Sequence, residues 1–186
     1  MAMISLELAK QNLEIEIANT DFDDLLEDII IPTICADAES FMGLKYTAVT
    51  SHIEYLDGGM SQLFLEYANV SNLSLYVDVN RIWTEVYDSD YYSLYAERGK
   101  VKKNCGTFPS GNKIIKAVYD GGYAEDSLPA DLQGKILKQI AYELRRRKDL
   151  GMSAVTYPDG TINKIAIGEW LLDVEKVLQR YGRYGL

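Results

Sequence analysis

The sequence predicts an α+β fold in which N-terminal and C-terminal helices form a small bundle around an inserted antiparallel β-sheet. Three observations carry this. Apolar residues recur at helical spacing from Phe22 to Phe41 and again from Leu132 to Leu144. Between Tyr46 and Tyr119 the period changes to two. Turn-forming residues, among them Asp57-Gly58-Gly59 and Asp88-Ser89-Asp90, punctuate that middle stretch. At 186 residues the chain suits one domain, divided into a helical 1–43, a β-rich insert 44–120, and a helical 121–186 ending in a tail.

A first helix is expected over Leu6–Leu13, with Ser5 as its cap and Ile4 in staple position. The second takes Phe22, Leu25, Leu26, Ile29, Ile30 and Ile34 on one stripe, continued by Ala38 and Phe41 until Gly43 stops it. Pro32 lies inside this pattern, removes one backbone bond and should kink or divide the helix. His52–Tyr55 and Leu63–Tyr67 flank Asp57-Gly58-Gly59 as a hairpin. Strands at Leu73–Val79, Ile82–Tyr87 and Tyr91–Ala96 follow, and Lys102–Asn112 reads as a loop. Lys113–Asp120 is a further strand, broken by Gly121-Gly122. Ser127 as cap and Pro129 in the first turn then open a helix that runs to Gly151. Tyr157-Pro158-Asp159-Gly160-Thr161 is a turn between two short extended pieces. Trp170, Leu171, Val174, Val177, Leu178 and Tyr181 line a last helix, after which Gly182 and Gly185 release a tail expected to be mobile. Leu26, Ile30, Ile34, Ile136, Ile140 and Leu144 should meet in one core.

The order "strand, Tyr-x-Gly-Gly-Tyr (119–123), Leu-Pro-x-Asp-Leu (128–132), helix, Arg-rich end" resembles the head–tail connector (adaptor, or head-completion) proteins of tailed bacteriophages. Ile4–Leu13 is similar to that family's opening helix, and Asp21-Phe22-Asp23-Asp24-Leu25-Leu26 to its acidic start of helix two. Together the matches cover roughly half the chain in the family's order, while residues 44–112 share only the layout. The strand-rich middle and the Tyr157–Ile167 segment depart from the family pattern.

Hydrophobic residues make up 47% of the chain and charged residues 25%, enough to build a globular core. The chain offers no apolar run of the ~20 residues that span a bilayer and no basic-then-apolar leader, so no membrane partner is expected. Cys35 and Cys105 lie far apart and read as reduced thiols of a cytoplasmic product. Net charge is −9 but unevenly placed. Residues 1–60 hold two Lys/Arg against twelve Asp/Glu, whereas residues 99–186 hold fifteen against ten. Such polarity suits head-to-tail self-association, or else two solvated faces. The overall acidity argues against a general nucleic-acid binder.

Catalytic and cofactor chemistry finds no pattern here. His52 has no second His or nearby Cys. Asp21, Asp23, Asp24, Glu27 and Asp28 lack the glycine and terminal glutamate of a calcium loop and fit helix-start electrostatics. Phosphate-loop, dinucleotide and zinc spacings do not occur. No enzyme, cofactor or metal is expected. Arg145-Arg146-Arg147-Lys148 can meet the helix dipole, acidic residues of a neighbouring copy, or DNA phosphates. Fourteen tyrosines, with Tyr87, Tyr91, Tyr92 and Tyr95 around one turn, suit protein interfaces.

The resemblance implies a virion protein at the head–tail interface, assembled from the host cytoplasm. It would form a ring, usually twelvefold in the family, that docks under the portal and joins it to a tail or stopper protein. DNA would pass through the ring without specific binding, past an acidic lumen that repels it. Three sets of site residues follow as expectations. Asp23, Asp24 and Glu27 would meet Arg145, Arg146 and Arg147 between subunits. Trp170, Tyr181, Arg183, Tyr184 and Leu186 would dock on the portal, and Tyr87, Tyr91 and Tyr92 would face the tail. The alternative is a small DNA-binding or packaging-accessory protein using the Pro129–Asp149 helix.

Overall fold

A computed structural model of the chain describes residues 3–78, 80–83, 85–146, 154–156, 162–164 and 170–183. Helix α1, Leu6–Asn12, starts where expected, with Ser5 Oγ accepting the Leu8 N–H at 3.1 Å. The Ser5 N–H itself donates to Asp126 Oδ1 at 2.8 Å, tying this start to the loop before the long C-terminal helix. Helices α2 (Asp23–Leu25) and α3 (Ile31–Met42) are joined by a π turn over Leu26–Ile30. Pro32 therefore divides the run without breaking it. The Ile31 N–H bonds back to Leu26 O, one residue further than in an α-helix, and Pro32 falls in the first turn of α3, where an N–H is dispensable. Gly43 ends α3 at φ 67°, as its position predicts.

The middle of the chain forms two three-stranded antiparallel sheets. Strands β1 (Val49–Leu56) and β3 (Ser71–Val77) flank β6 (Ile115–Gly121), while β2 (Gln62–Phe64) and β4 (Tyr92–Tyr95) flank β5 (Lys100–Lys103). Three expectations are corrected. The hairpin at Asp57-Gly58-Gly59 does not form, because β1 pairs with β6 and β2 with β5. These residues instead carry the chain from one sheet to the other across residues 108–111. The Gly58 N–H donates to Gly111 O at 2.8 Å and the Gly59 N–H to Phe108 O at 3.1 Å. A Cβ at Gly58 would collide with the Pro109 carbonyl, so glycine serves close approach here. Ile82–Tyr87 is not a strand in its described residues; the Asp78 carboxylate gathers the N–H groups of Asn80, Ile82 and Trp83 into a loop. Lys102 and Lys103, read as loop, belong to β5, where one apolar residue among lysines leaves no alternation to see.

Helix α4 spans Ala130–Arg146, but Ser127 does not cap it: its hydroxyl donates to the Glu125 carbonyl at 3.3 Å. Strands β7 (Ala154–Thr156) and β8 (Ile162–Lys164) pair as the expected second hairpin, its turn lying outside the described residues. Helix α5, Leu172–Tyr181, closes the fold. One hydrophobic cluster joins the helices and buries Leu26, Ile30, Ile34, Ile136 and Ile140 together, with Leu144 half-buried against it. A second lies between the sheets around Leu75, Val101, Phe108 and Ile115. Among the described residues no helix is long and apolar enough to cross a membrane. Cys35 is buried, which pushes its thiol up to about 12, whereas Cys105 is exposed. A thiol reagent should therefore titrate one cysteine in the native protein and two after unfolding; two fast-reacting thiols in the folded state would contradict the packing of α3.

Candidate interaction surfaces

At one end of the helical bundle, the last residues of α3 and α5 meet the first of α4. Tyr46 is buried there, stacks on Tyr123 at 5.9 Å and donates its hydroxyl to the Tyr181 carbonyl at 2.7 Å. Tyr181 in turn donates to Asp131 Oδ1 at 2.6 Å, and Arg180 reaches Asp131 Oδ2 at 3.1 Å. Arg183 extends the junction to the sheets. Its N–H bonds Met42 O at 2.8 Å, its Nη2 bonds Leu65 O at 2.8 Å, and its guanidinium lies 5.9 Å from the Phe64 ring centre. The tail expected to be mobile from Tyr181 onward is thus held through Arg183, because these backbone carbonyls offer it partners that no local pattern reveals. Of the portal-docking set, Trp170 is half-buried with its ring 6.3 Å from that of Phe41, Tyr181 and Arg183 are engaged as described, and Tyr184 and Leu186 lie outside the described residues.

This junction should be sensitive to alkali. Burial raises Tyr46 well above the ordinary phenol value, and burial followed by the Asp131 hydrogen bond pushes Tyr181 up to about 12. Tyr119, buried in the sheets and donating to Glu54 Oε2 at 2.8 Å, is raised as well. A group whose folded value is raised gives stability that is complete below its unfolded value, about 10 for tyrosine, and lost as pH rises through the folded one. Melting temperature should therefore fall above about pH 10, with Tyr46→Phe flattening the slope. An unchanged slope in that variant would contradict the assignment.

The opposite end of the bundle carries the acidic start of α2. Lys10, only 2% exposed, holds Asp23 at 2.7 Å and also donates to Ile17 O at 2.8 Å. Asp23 is therefore occupied within its own chain, while Asp24, Glu27 and Asp28 are exposed. Phe22 and Ile29, expected on the buried stripe, are 42% and 51% exposed in this same stretch of chain. Phe41 is likewise 42% exposed, since the π turn shifts the stripe's phase; Leu26, Ile30, Ile34 and Ala38 stay buried and Leu25 packs half-buried against them. Arg145 is exposed, Arg146 has its guanidinium 5.5 Å from the Tyr142 ring centre, and Arg147 lies outside the described residues.

On the sheets, Tyr87 and Tyr92 stack 6.4 Å apart and cover the second cluster, so of the tail-side set only Tyr91, 57% exposed, points fully outward. One surface was not legible beforehand. Register places Phe64, Lys100 and Tyr95 in one row of β2-β5-β4 and Gln62, Lys102 and Ser93 in the next row of the same face. Lys100 Nζ sits 6.0 Å from the Phe64 ring centre and 5.6 Å from that of Tyr95, making a basic, aromatic platform. His52 packs between Tyr67 and Tyr119 with Nε2 3.2 Å from Glu66, a position built into the sheet. Among the described residues no group of three or more His, Cys, Asp or Glu could hold a metal.

No protein-family model matches the sequence, and no curated protein is similar to it. Solved structures do share its fold. A chain in the virion of a native gene transfer agent particle superposes with TM-score 0.59 at 15% identity, covering 99% of this chain and 91% of that one. A chain in the neck of an empty gene transfer agent particle, computed with C6 symmetry, gives 0.57 at 14% identity with the same coverage. The likeness is one of fold, and it spans the helical ends together with the sheets between them.

Proposed function

We propose that this chain is a structural virion protein of the phage neck, forming a ring that joins the capsid portal to the tail and leaves a central passage for DNA. The observation that carries this reading is the end-to-end likeness of its fold to a chain from a particle neck. It agrees with the connector motifs at residues 119–132 and with an acidic balance that would let DNA slide past. The role is architectural rather than enzymatic. Particles lacking the chain should accumulate filled heads and unattached tails, and adding the purified protein should restore joining. Failure to restore joining, together with steeply salt-dependent DNA binding, would instead favour a packaging-accessory role.

Portal docking belongs to the last helix and the segment after it. Trp170 precedes this helix, Tyr181 ends it, and Arg183 anchors the chain just after it. Deleting Tyr184–Leu186 should leave the melting temperature unchanged and weaken attachment to portal-bearing capsids. Unchanged attachment would move the docking surface to the sheets around Tyr91.

A further inference from the structure

We infer that copies of this chain join head-to-tail through two surfaces at opposite ends of the 23–42 helix: its acidic, apolar start on one copy and the Lys100–Lys102 platform on the next. This rests on the ring reading above and names the contact that would build the ring. The first surface presents Asp24, Glu27 and Asp28, all exposed, with Phe22 and Ile29 exposed in the same 22–29 stretch. The second presents Lys100 and Lys102 beside Phe64 and Tyr95, the last 50% exposed. Each pairs charge of one sign with apolar area, the composition of an interface with steering.

Geometry keeps the two surfaces apart within one copy. From Glu27 to Met42 the helix advances about 20 Å. At its far end Arg183 bonds Met42 O and lies on the Phe64 ring, so the platform begins where the helix stops. The nearby carboxylate of Glu66 is already taken by Lys45 at 2.6 Å. The arginines at the end of α4 lie differently. Asp131, at the start of α4, is tied through Tyr181 to the Met42 end, while Ile136 and Ile140 further along pack with Leu26 and Ile30. Helix α4 therefore runs back alongside α3, and Arg145 and Arg146 finish at the acidic end of their own copy. The platform instead lies at the Met42 end, away from its own copy's acidic helix start. Unlike surfaces on one chain make a heterologous contact, which closes into a ring when the rotation allows.

The full chain can be followed by sedimentation velocity at low salt. Wild type should sediment as a closed oligomer that dissociates as salt rises. K100E/K102E and E27K/D28K should each sediment as monomers with native circular dichroism. The chain carrying all four reversals should regain the oligomer, because opposite charges again face each other. R145E/R146E should keep the wild-type oligomer. Oligomers formed normally by K100E/K102E would overturn the inference, as would failure of the four-fold reversal to restore them. Loss of assembly in R145E/R146E alone would return the contact to the α4 arginines. A wild-type chain that restores head–tail joining yet never self-associates would overturn this contact and leave the neck role standing.

Discussion

Ile140→Ala is expected to lower the free energy of unfolding by about 2–5 kcal/mol, measured by denaturant titration. Ile140 is fully buried where α4 crosses the π turn, in the cluster that also holds Leu26, Ile30 and Ile136. Every helix of the bundle contributes to that cluster, so its walls cannot collapse into the space that three missing carbons leave. Exposed Leu172 is the control. At 68% exposure it touches little, and its replacement by alanine should stay within about 0.5 kcal/mol. Equal effects at the two positions would mean that α4 does not present the face described.

Asp23→Ala should be nearly as costly, about 3 kcal/mol. The Lys10 ammonium is 2% exposed and has two oxygen partners, Asp23 Oδ1 and the Ile17 carbonyl. Removing the carboxylate leaves a buried cation with one neutral acceptor, and the desolvation already incurred is no longer offset. A second variant separates this from a lost helix-start charge. Lys10→Met in the Asp23→Ala background keeps the volume and removes the cation, so most of the lost stability should return. A double variant as weak as Asp23→Ala alone would place the effect in the helix dipole instead.

Local chemistry was legible in the sequence and partner choice was not. Ser5 and Gly43 act within one turn of their own helix, so a cap and a stop could be read from neighbours alone. The stripes that meet in the core and the alternating β6 were legible for the same reason: burial imposes a period. Strand pairing depends on which segments meet, and Asp57-Gly58-Gly59, ideal for a tight hairpin, serves a crossing between sheets. The platform on β5 had no local signal, because the rings that Lys100 Nζ meets, Phe64 and Tyr95, come from two other strands. Asp23 was grouped with the surface acids, although a signal existed. Residues 1–44 hold a single Lys/Arg, Lys10, and a lone cation among many carboxylates has good reason to be buried against one of them. The fate of Tyr181 and Arg183 had no such signal, since their partners Asp131, Met42 and Leu65 lie far off in the chain.

Electron microscopy of the purified protein mixed with portal-bearing capsids tests the central claim most directly. The account predicts an added ring of density, coaxial with the portal at one vertex and open at its centre, absent when the protein is left out. Capsids whose portal vertex gains no density, with the protein remaining monomeric or spread along released DNA, would contradict it.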